Sequence, residues 1–393
     1  MDRIPIIPPV PWQPLTPQPD PDDWKAQPNY QQLIPLVAEN CDFYAHLDIS
    51  ERTPIGNERK TEKIRGVATG GVFDRRFFFT HPERIRVIED RAENGRRYTR
   101  FEVHTPRGDL TTTDVRPSGV DTVWTTEPLI KDVDDAGKIL SIPHRFDPPD
   151  LTEYFAERDK LGNRGVAVCF VTSPLVMISR MMDFEQMFEW TITERPLFGK
   201  MLQTAQERIA ERLQWALENG VGPIFRFGGC EQATPPMMSN RFFDEFIIRY
   251  EGPLWRMVRD AGRILWVHCH GKVSTIFDRF VDMGVQVLDP VEPPPQGDIQ
   301  IREAKERAAA GPMTLIGNIE ISDLQAESAD QIESKVREAI CQGGRKHFIL
   351  GPSDVACSAV EDHLRDNIIR FVEAGVKYGT FDADDPCAIR KWK

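Results

Sequence analysis

The chain is predicted to be an α/β protein: a (β/α)8 barrel of the TIM type with an N-terminal proline-rich arm and an antiparallel β-hairpin insertion. Three observations predict it. Short apolar strands alternate with amphipathic helices after residue 150, a β-rich stretch with hairpin turns fills 67–130, and the first 30 residues are dense in proline. The strands of the first pattern are Gly165–Thr172, Gly222–Phe227, Ile264–His268, Val285–Leu288, Thr314–Gly317 and His347–Leu350. Rich in β-branched residues and nearly all apolar, they read as parallel strands buried on both faces. Between them lie helical stretches such as Pro196–Asn219, Asn240–Ala261, Ser328–Cys341 and Glu361–Tyr378. The first opens on a proline, and Gly220 follows its end. Six such repeats, with one or two more units upstream, suit a closed barrel better than a doubly wound sheet. No GxGxxG follows a first strand and there is no Walker A sequence.

Upstream, residues 1–30 hold too much proline for a helix or a sheet interior and read as an extended arm, wrapped over the barrel or over a neighbouring subunit. A short helix follows at Asn29–Asn40 and a strand at Phe43–Ile49. Within 67–130, Arg76–Thr80, Arg84–Asp90, Arg97–His104 and Asp109–Val115 are β-rich. Glu93-Asn94-Gly95 and Pro106-Arg107-Gly108-Asp109 are turn signals between the last three, giving a meander of hairpins. The whole chain, 1–393, is expected to be one domain, with the insertion capping the barrel mouth or forming a dimer surface.

The net charge of −12 argues against a nucleic-acid-binding face. No apolar run reaches the roughly 20 residues of a membrane helix, and the N-terminus has no basic region followed by an apolar core. Seven cysteines, at 41, 169, 230, 269, 341, 357 and 387, are scattered without a framework. The expectation is a cytoplasmic protein in a reducing compartment, with any important cysteine serving as ligand or nucleophile.

The segment Ile264-Leu265-Trp266-Val267-His268-Cys269-His270-Gly271 carries the clearest chemical signal. Side chains alternate along a strand, so His268 and His270 share a face and Cys269 takes the other. Two adjacent imidazoles at a strand end each need a metal or a hydrogen-bond partner; loop backbone would also serve. In a barrel the active site lies at the C-terminal ends of the strands. Those ends supply His46 and Asp48, Thr172-Ser173, Arg226, Cys230 and Glu231, the two histidines, Asp289 and Glu292, Asn318 and Glu320, and Ser353, Asp354 and Cys357. A catalytic zinc takes three protein ligands and keeps one position open. His268, His270 and Cys357 would make that set, with Glu292 or Glu231 adding an oxygen and Cys230 the rival sulfur. Cys169 and Cys269 read as small core residues.

The blocks GGCEQATPPMMSNRFFDEF, WVHCHG, VQVLDPVEPPPQGDI, LIGNIE and CSAVEDHLRDNI, in this order across roughly 150–380, resemble the uroporphyrinogen decarboxylase superfamily. That superfamily is a (β/α)8 barrel and includes the decarboxylase and the cobalamin-dependent methyltransferases. The decarboxylases proper carry an Arg-Gln-Ala-Gly-Arg-Tyr block near the N-terminus, and the corresponding FYAHLDISERTPIG lacks it. Methyltransferases serving coenzyme M carry His-x-Cys at the strand end and a later Cys ten residues before an Asn, and these bind zinc. Here the pair is His268-x-His270, and Cys357 stands ten residues before Asn367. Replacing one thiolate by imidazole makes the zinc a stronger Lewis acid.

The resemblance thus implies a zinc-dependent methyltransferase or demethylase acting on a small methylated substrate or thiol, with a corrinoid on a separate partner protein. Glu231, Glu292 and Asp289 would move protons, and His46, Asp48, Arg226 and Asn318 would hold substrate. The alternative is a metal-free decarboxylase or lyase with His268 or His270 as the acid. The arm and insertion together suggest a homodimer.

Overall fold

The computed structural model describes residues 3–15, 18–19, 21, 23–47, 81–120 and 122–381. The expected strand at Arg76–Thr80, and Asp48 with it, lie outside the described residues. After a helix at Pro28–Asn40 the chain enters strand β1, Tyr44–His46. Then comes the insertion: β2 (Ile85–Glu93), β3 (Arg96–Val103), β4 (Leu110–Pro117) and β5 (Trp124–Glu127), an antiparallel meander in sequence order. Phe101, Val103 and Leu110 pack into the main core, so one face of this sheet is fastened to the body. Helices at Val133–Leu140 and Thr152–Leu161 lead into the repeating part.

There the parallel strands are β6 (Val166–Thr172), β7 (Ile224–Gly228), β8 (Ile264–His268), β9 (Val287–Asp289), β10 (Thr314–Ile319) and β11 (Phe348–Pro352). They form one curled sheet in the order β1-β6-β7-β8-β9-β10-β11. Each matches its expected segment to within two residues at either end. The ladder has seven strands among the described residues, not the eight expected of a closed barrel. Between its edges lies the N-terminal segment. The Ile7 amide donates to the Leu350 carbonyl (2.8 Å) and the Leu350 amide to Pro5 (3.0 Å), while the Asp42 amide, just ahead of β1, donates to Ile6 (2.7 Å). Ile6 is fully buried, and the Gly375 position clears it: a Cβ there would stand 2.9 Å from Ile6 Cδ1.

Alternation along the strands sorts two cores. Outward residues such as Phe225, Phe227, Leu265, Val267 and Leu288 are fully buried under the helices, each worth about 1.5–3 kcal/mol. Inward residues Val168, Ile224, Trp266 and Ile316, with Ile7, Tyr44 and Ile349, make a small separate cluster that floors the interior. Above this floor the inward positions turn polar. Of the helices, Arg195–Glu218, Ala329–Gly343 and Asp362–Gly379 follow the expected pattern. The expected helix at Asn240–Ala261 is instead broken into Asn240–Phe242, a π-helical turn at Phe243–Ile248, and Gly252–Asp260. Glu251 stands at the break, immediately ahead of Gly252-Pro253, where proline is tolerated only in a first turn.

Candidate active site

Strand alternation brings Arg226 of β7, His268 of β8 and Asp289 of β9 to adjacent inward positions, and the ladder pairs His268 directly with Asp289. Asp289 is the hub. Its Oδ2 accepts from Arg226 Nη2 (3.0 Å) and from His268 Nδ1 (2.9 Å), and its Oδ1 accepts from Trp266 Nε1. Burial alone would push this carboxyl up, but the Arg226 guanidinium and the His268 ring more than offset that. The group is held well below the usual carboxylate range. The Arg226 guanidinium also lies over the Trp266 ring, 5.2 Å from its centroid, and Tyr44 packs edge-on against Trp266. Gly228, at the end of β7, leaves room for the imidazole: a Cβ there would meet the Phe170 ring at 3.3 Å and His268 Cδ2 at 3.5 Å.

One step further along, His270 repeats the arrangement. Its Nδ1 bonds Glu292 Oε1 at 2.8 Å, and the other Glu292 oxygen accepts from the Gly271 amide. Burial works against a charged His270, but Glu292 outweighs it and raises the imidazole pKa; Glu292 itself is lowered despite its burial. The two rings meet edge to face with centroids 4.5 Å apart. Each histidine thus has its Nδ1 fixed by a carboxylate, and Nε2 is the nitrogen left to face a metal or substrate.

Glu320, at the end of β10, joins from the far side. It is 4% exposed, one of its oxygens lacks a partner, and burial with the charges of Glu292 and Asp323 pushes its carboxyl to about 7. Asp354, in the loop after β11, acts electrostatically on Tyr44 and Arg226. His46 is exposed on β1, stacked edge-on with Tyr44 (5.2 Å) and Phe170 (6.1 Å). Asn318 is half-buried on β10.

Cys357 is an exposed free thiol in the loop after β11. A bridge between Val120 and Ser358 joins that loop to the insertion. Among the described residues, the set of three whose potential ligand atoms all lie within 4.8 Å of one another is Cys230, Glu231 and Cys269; His268, His270 and Cys357 do not form such a set. Glu231 stands between the two groups, acting on His270 as well as on both thiols. Cys41, Cys169, Cys230, Cys269 and Cys357 are in no disulfide, whereas Cys341 is in one that the spacing of the cysteines did not announce.

Glu251 was not anticipated. It is 1% exposed, and burial pushes its carboxyl to about 8. A glutamate between apolar helical stretches reads in sequence as a solvated position, and only the helix break turns it inward. Tyr44 and Trp266 were likewise read as strand residues rather than as walls of the site.

No helix among the described residues is long and apolar enough to cross a membrane. Among solved structures, a methyltransferase from Methanosarcina mazei is similar at 18% identity and a TM-score of 0.49, over 66% of this chain and 73% of that one. A B12-independent methionine synthase from Shewanella sp. W3-18-1, in complex with selenomethionine, is similar at 14% identity and a TM-score of 0.38, over 75% and 76%. No curated protein sequence matches. The family model described as Uroporphyrinogen decarboxylase (URO-D) matches residues 150–378, which hold the six strands β6–β11, both histidines and their carboxylates. With more than half of its length so matched, the chain belongs to the uroporphyrinogen decarboxylase (URO-D) family.

Proposed function

We propose that the protein is a zinc-dependent methyltransferase or demethylase of this family, acting on a small methylated substrate or thiol, with the corrinoid carried by a separate protein. The observation that carries the reading is the pairing of His268 with Asp289 and of His270 with Glu292 through Nδ1. Carboxylates that fix one nitrogen, and so the tautomer, of two neighbouring imidazoles are the usual outer support of a metal site. The donor types suit zinc: two imidazoles with Nε2 available, and the Cys357 thiol on the loop after β11, which would have to move toward the pair for all three to share one ion. Bound there, the metal would supply Lewis acidity to a substrate oxygen or sulfur.

The chain's own groups set the rest. Asp289 and Glu292 orient the rings and take up positive charge at them. Glu320, poised near neutrality, exchanges a proton with the substrate heteroatom. Tyr44, Trp266 and Phe170 form an apolar wall that excludes water beside a methyl group. Arg226, Asn318, His46 and Asp48 would hold the polar part of the substrate.

Electrostatics weighs against the competing carboxy-lyase reading. Asp289 and Glu292 put two carboxylates at the site, and the cations beside them, Arg226 and His270, are already paired with them. A small carboxylated substrate would meet cations that already hold counter-ions, whereas a divalent cation would be drawn in.

The test uses protein purified without chelators or a polyhistidine tag. Metal is measured by mass spectrometry, and a panel of methoxylated, methylamine and thiol compounds is screened for methyl exchange with cob(I)alamin or methylcobalamin by absorbance. Zinc that is lost in His270→Ala and in Cys357→Ala, together with exchange that fails in both, supports the reading. Release of carbon dioxide from a carboxylated substrate by metal-free protein would overturn it.

A further inference from the structure

Behind the histidines, on the outward side of β8, lies a second group of metal-ligating side chains, among them Glu231 and Cys230, which the sequence alone offered to the histidine site. Cys269 follows His268 and points away from it, and its amide is anchored on the Asp289 carbonyl at 2.7 Å. Cys230 opens the turn after β7, directly after Gly229. That glycine has φ +103° and a Cβ position 1.9 Å from Val176 Cγ2, so no other residue passes there without displacing Val176. This turn sets Cys230 and Glu231 against Cys269. The two thiols and the Glu231 carboxylate offer ligand atoms all within 4.8 Å of one another. Both cysteines are essentially inaccessible to solvent, at 1% and 0% exposure.

A second and independent observation points the same way. Glu251 is 1% exposed and is held by Ser173 on one side and approached by the Trp255 indole on the other, yet its Oε1 makes no hydrogen bond of good geometry. It interacts electrostatically with both thiols and with Glu231. Glu231 also carries a buried oxygen, Oε2, with no partner. Beyond their contact with each other, the thiols make long hydrogen bonds to backbone carbonyls: Cys230 Sγ to His268 O (3.6 Å) and Cys269 Sγ to His270 O (3.9 Å). The charged neighbours acting most strongly on the pair are all carboxylates: Glu231, Glu251 and Glu292. Neutral thiols are cheap to bury, but two buried carboxyls that each keep an oxygen without a good hydrogen bond are not, and a positive ion between them and the thiols would satisfy both.

We infer that Cys230, Cys269 and Glu231 bind a second zinc ion, with the Glu251 carboxylate, which stands outside their 4.8 Å set, moving in to take the fourth position. With Zn–S near 2.3 Å and Zn–O near 2.1 Å, a tetrahedron places its sulfurs about 3.8 Å apart and sulfur and oxygen about 3.6 Å apart. The cluster thus needs a contraction of roughly 1 Å at its outer limit, which side-chain rotation supplies. Four protein ligands with no open position describe a closed structural site, in contrast to the imidazole-rich set on the inner face. Its ion ties the turn after β7 to the strand end that carries His268 and His270. It thereby fixes the backbone from which both imidazoles project.

The experiment counts bound metal in the full chain after reconstitution with Zn2+ or Co2+. The wild type is compared with Cys230→Ser/Cys269→Ser, Glu231→Gln, His268→Ala/His270→Ala and Cys357→Ser. Expected is the loss of one equivalent in Cys230→Ser/Cys269→Ser and its retention in His268→Ala/His270→Ala. The retained ion should show thiolate-to-cobalt absorption that Cys357→Ser leaves in place. Where the double serine variant does not fold, Glu231→Gln keeps both thiols and should weaken this equivalent about 10-fold or more. Unchanged stoichiometry in Cys230→Ser/Cys269→Ser, unchanged affinity in Glu231→Gln, or a Cys230–Cys269 disulfide in freshly purified protein would overturn the inference. Because the inner-face variants are scored separately, failure of the histidine site and failure of the thiol site give different patterns.

Discussion

Asp289→Asn is the perturbation that weighs the inner network most directly. The Asp289 carboxylate accepts from Arg226, His268 and Trp266 at once. The amide keeps the shape, loses the charge, and brings an NH2 that has to face a donor already present. Arg226 is then left as a largely buried guanidinium without its counter-ion, its Nε already lacking a partner. Removing one partner of a buried pair costs about 3–5 kcal/mol. With an unfolding entropy of about 2.1 cal/mol/K per residue, a chain of 393 residues has roughly 0.8 kcal/mol/K in total, so the expected drop in Tm is about 4–6 °C.

The pH dependence has a definite sign. A carboxyl whose folded-state pKa is depressed stabilises the fold at every pH above its unfolded value, and loses that contribution only as the pH falls toward the folded one. The gap between wild type and Asp289→Asn should therefore stay constant from about pH 5 to 8 and narrow only below about pH 4. The assay is scanning calorimetry at one fixed scan rate across that range, with Arg226→Met/Asp289→Asn alongside. Removing the orphaned cation should restore at least about 1 kcal/mol relative to Asp289→Asn alone. A Tm for Asp289→Asn within about 1 °C of wild type at pH 7 would show that Asp289 does not hold this network together.

Gly297→Ala reaches the site from a distance: the added Cβ would stand 1.9 Å from the Glu292 carbonyl oxygen and 2.8 Å from its Cβ, so Glu292 has to move off His270. Metal affinity at the inner site, read by competition with a chromophoric chelator, should fall about 10–100-fold, and an unchanged value would mean that Glu292 does not orient His270. Glu320 gives a prediction of opposite sign to Asp289. Its folded pKa of about 7 lies above the ordinary carboxylate value, so the folded state holds a proton that the unfolded chain releases, and stability declines as pH rises from about 4.5 to 7. In metal-free protein Glu320→Gln should flatten that decline, by up to a few kcal/mol at pH 7 in urea denaturation; an unaltered pH profile would remove Glu320 from the set of buried acids.

Periodicity made the parallel strands legible, because strands buried on both faces are short, apolar and bounded by helices that must cross back. The histidine pair was legible for the same reason, since spacing of two fixes a shared face. Hidden from sequence were features that depend on a third dimension. The arm's proline content announced an extended segment, but its seat between β11 and β1 comes from backbone hydrogen bonds that any residue offers. Strand β5, Trp124–Glu127, is short and largely exposed, so no alternation marks it. Cys269 read as a small core residue, which its burial fits; what the sequence does not show is that the turn after β7 sets a second thiol and a carboxylate beside it. Glu251 is hidden by the helix break, because a continuous helix over 240–261 would have left its facing to the 3.6-residue period.

The alternation of β8 gives one strand two chemistries, and their separation has a physical cause. Trp266 and His268 face an interior floored by apolar side chains and topped by carboxylates, one of them paired with Arg226, so a charge introduced there finds counter-charges already oriented. Cys269 faces the layer between strands and helices, where the nearest charged groups are all acidic and solvent does not reach. Imidazole suits the first setting because it exchanges a proton near neutrality and leaves a coordination position open for substrate. Thiol suits the second because it is buried cheaply when neutral, and as thiolate its charge would be balanced by the zinc proposed there. Exchanging the two residue types, by His268→Cys and His270→Cys together with Cys269→His, would put anionic sulfur against Asp289 and Glu292 and a polar ring among apolar helices. The order His-Cys-His is therefore the one in which each side chain meets a compatible neighbour on its own face of the strand.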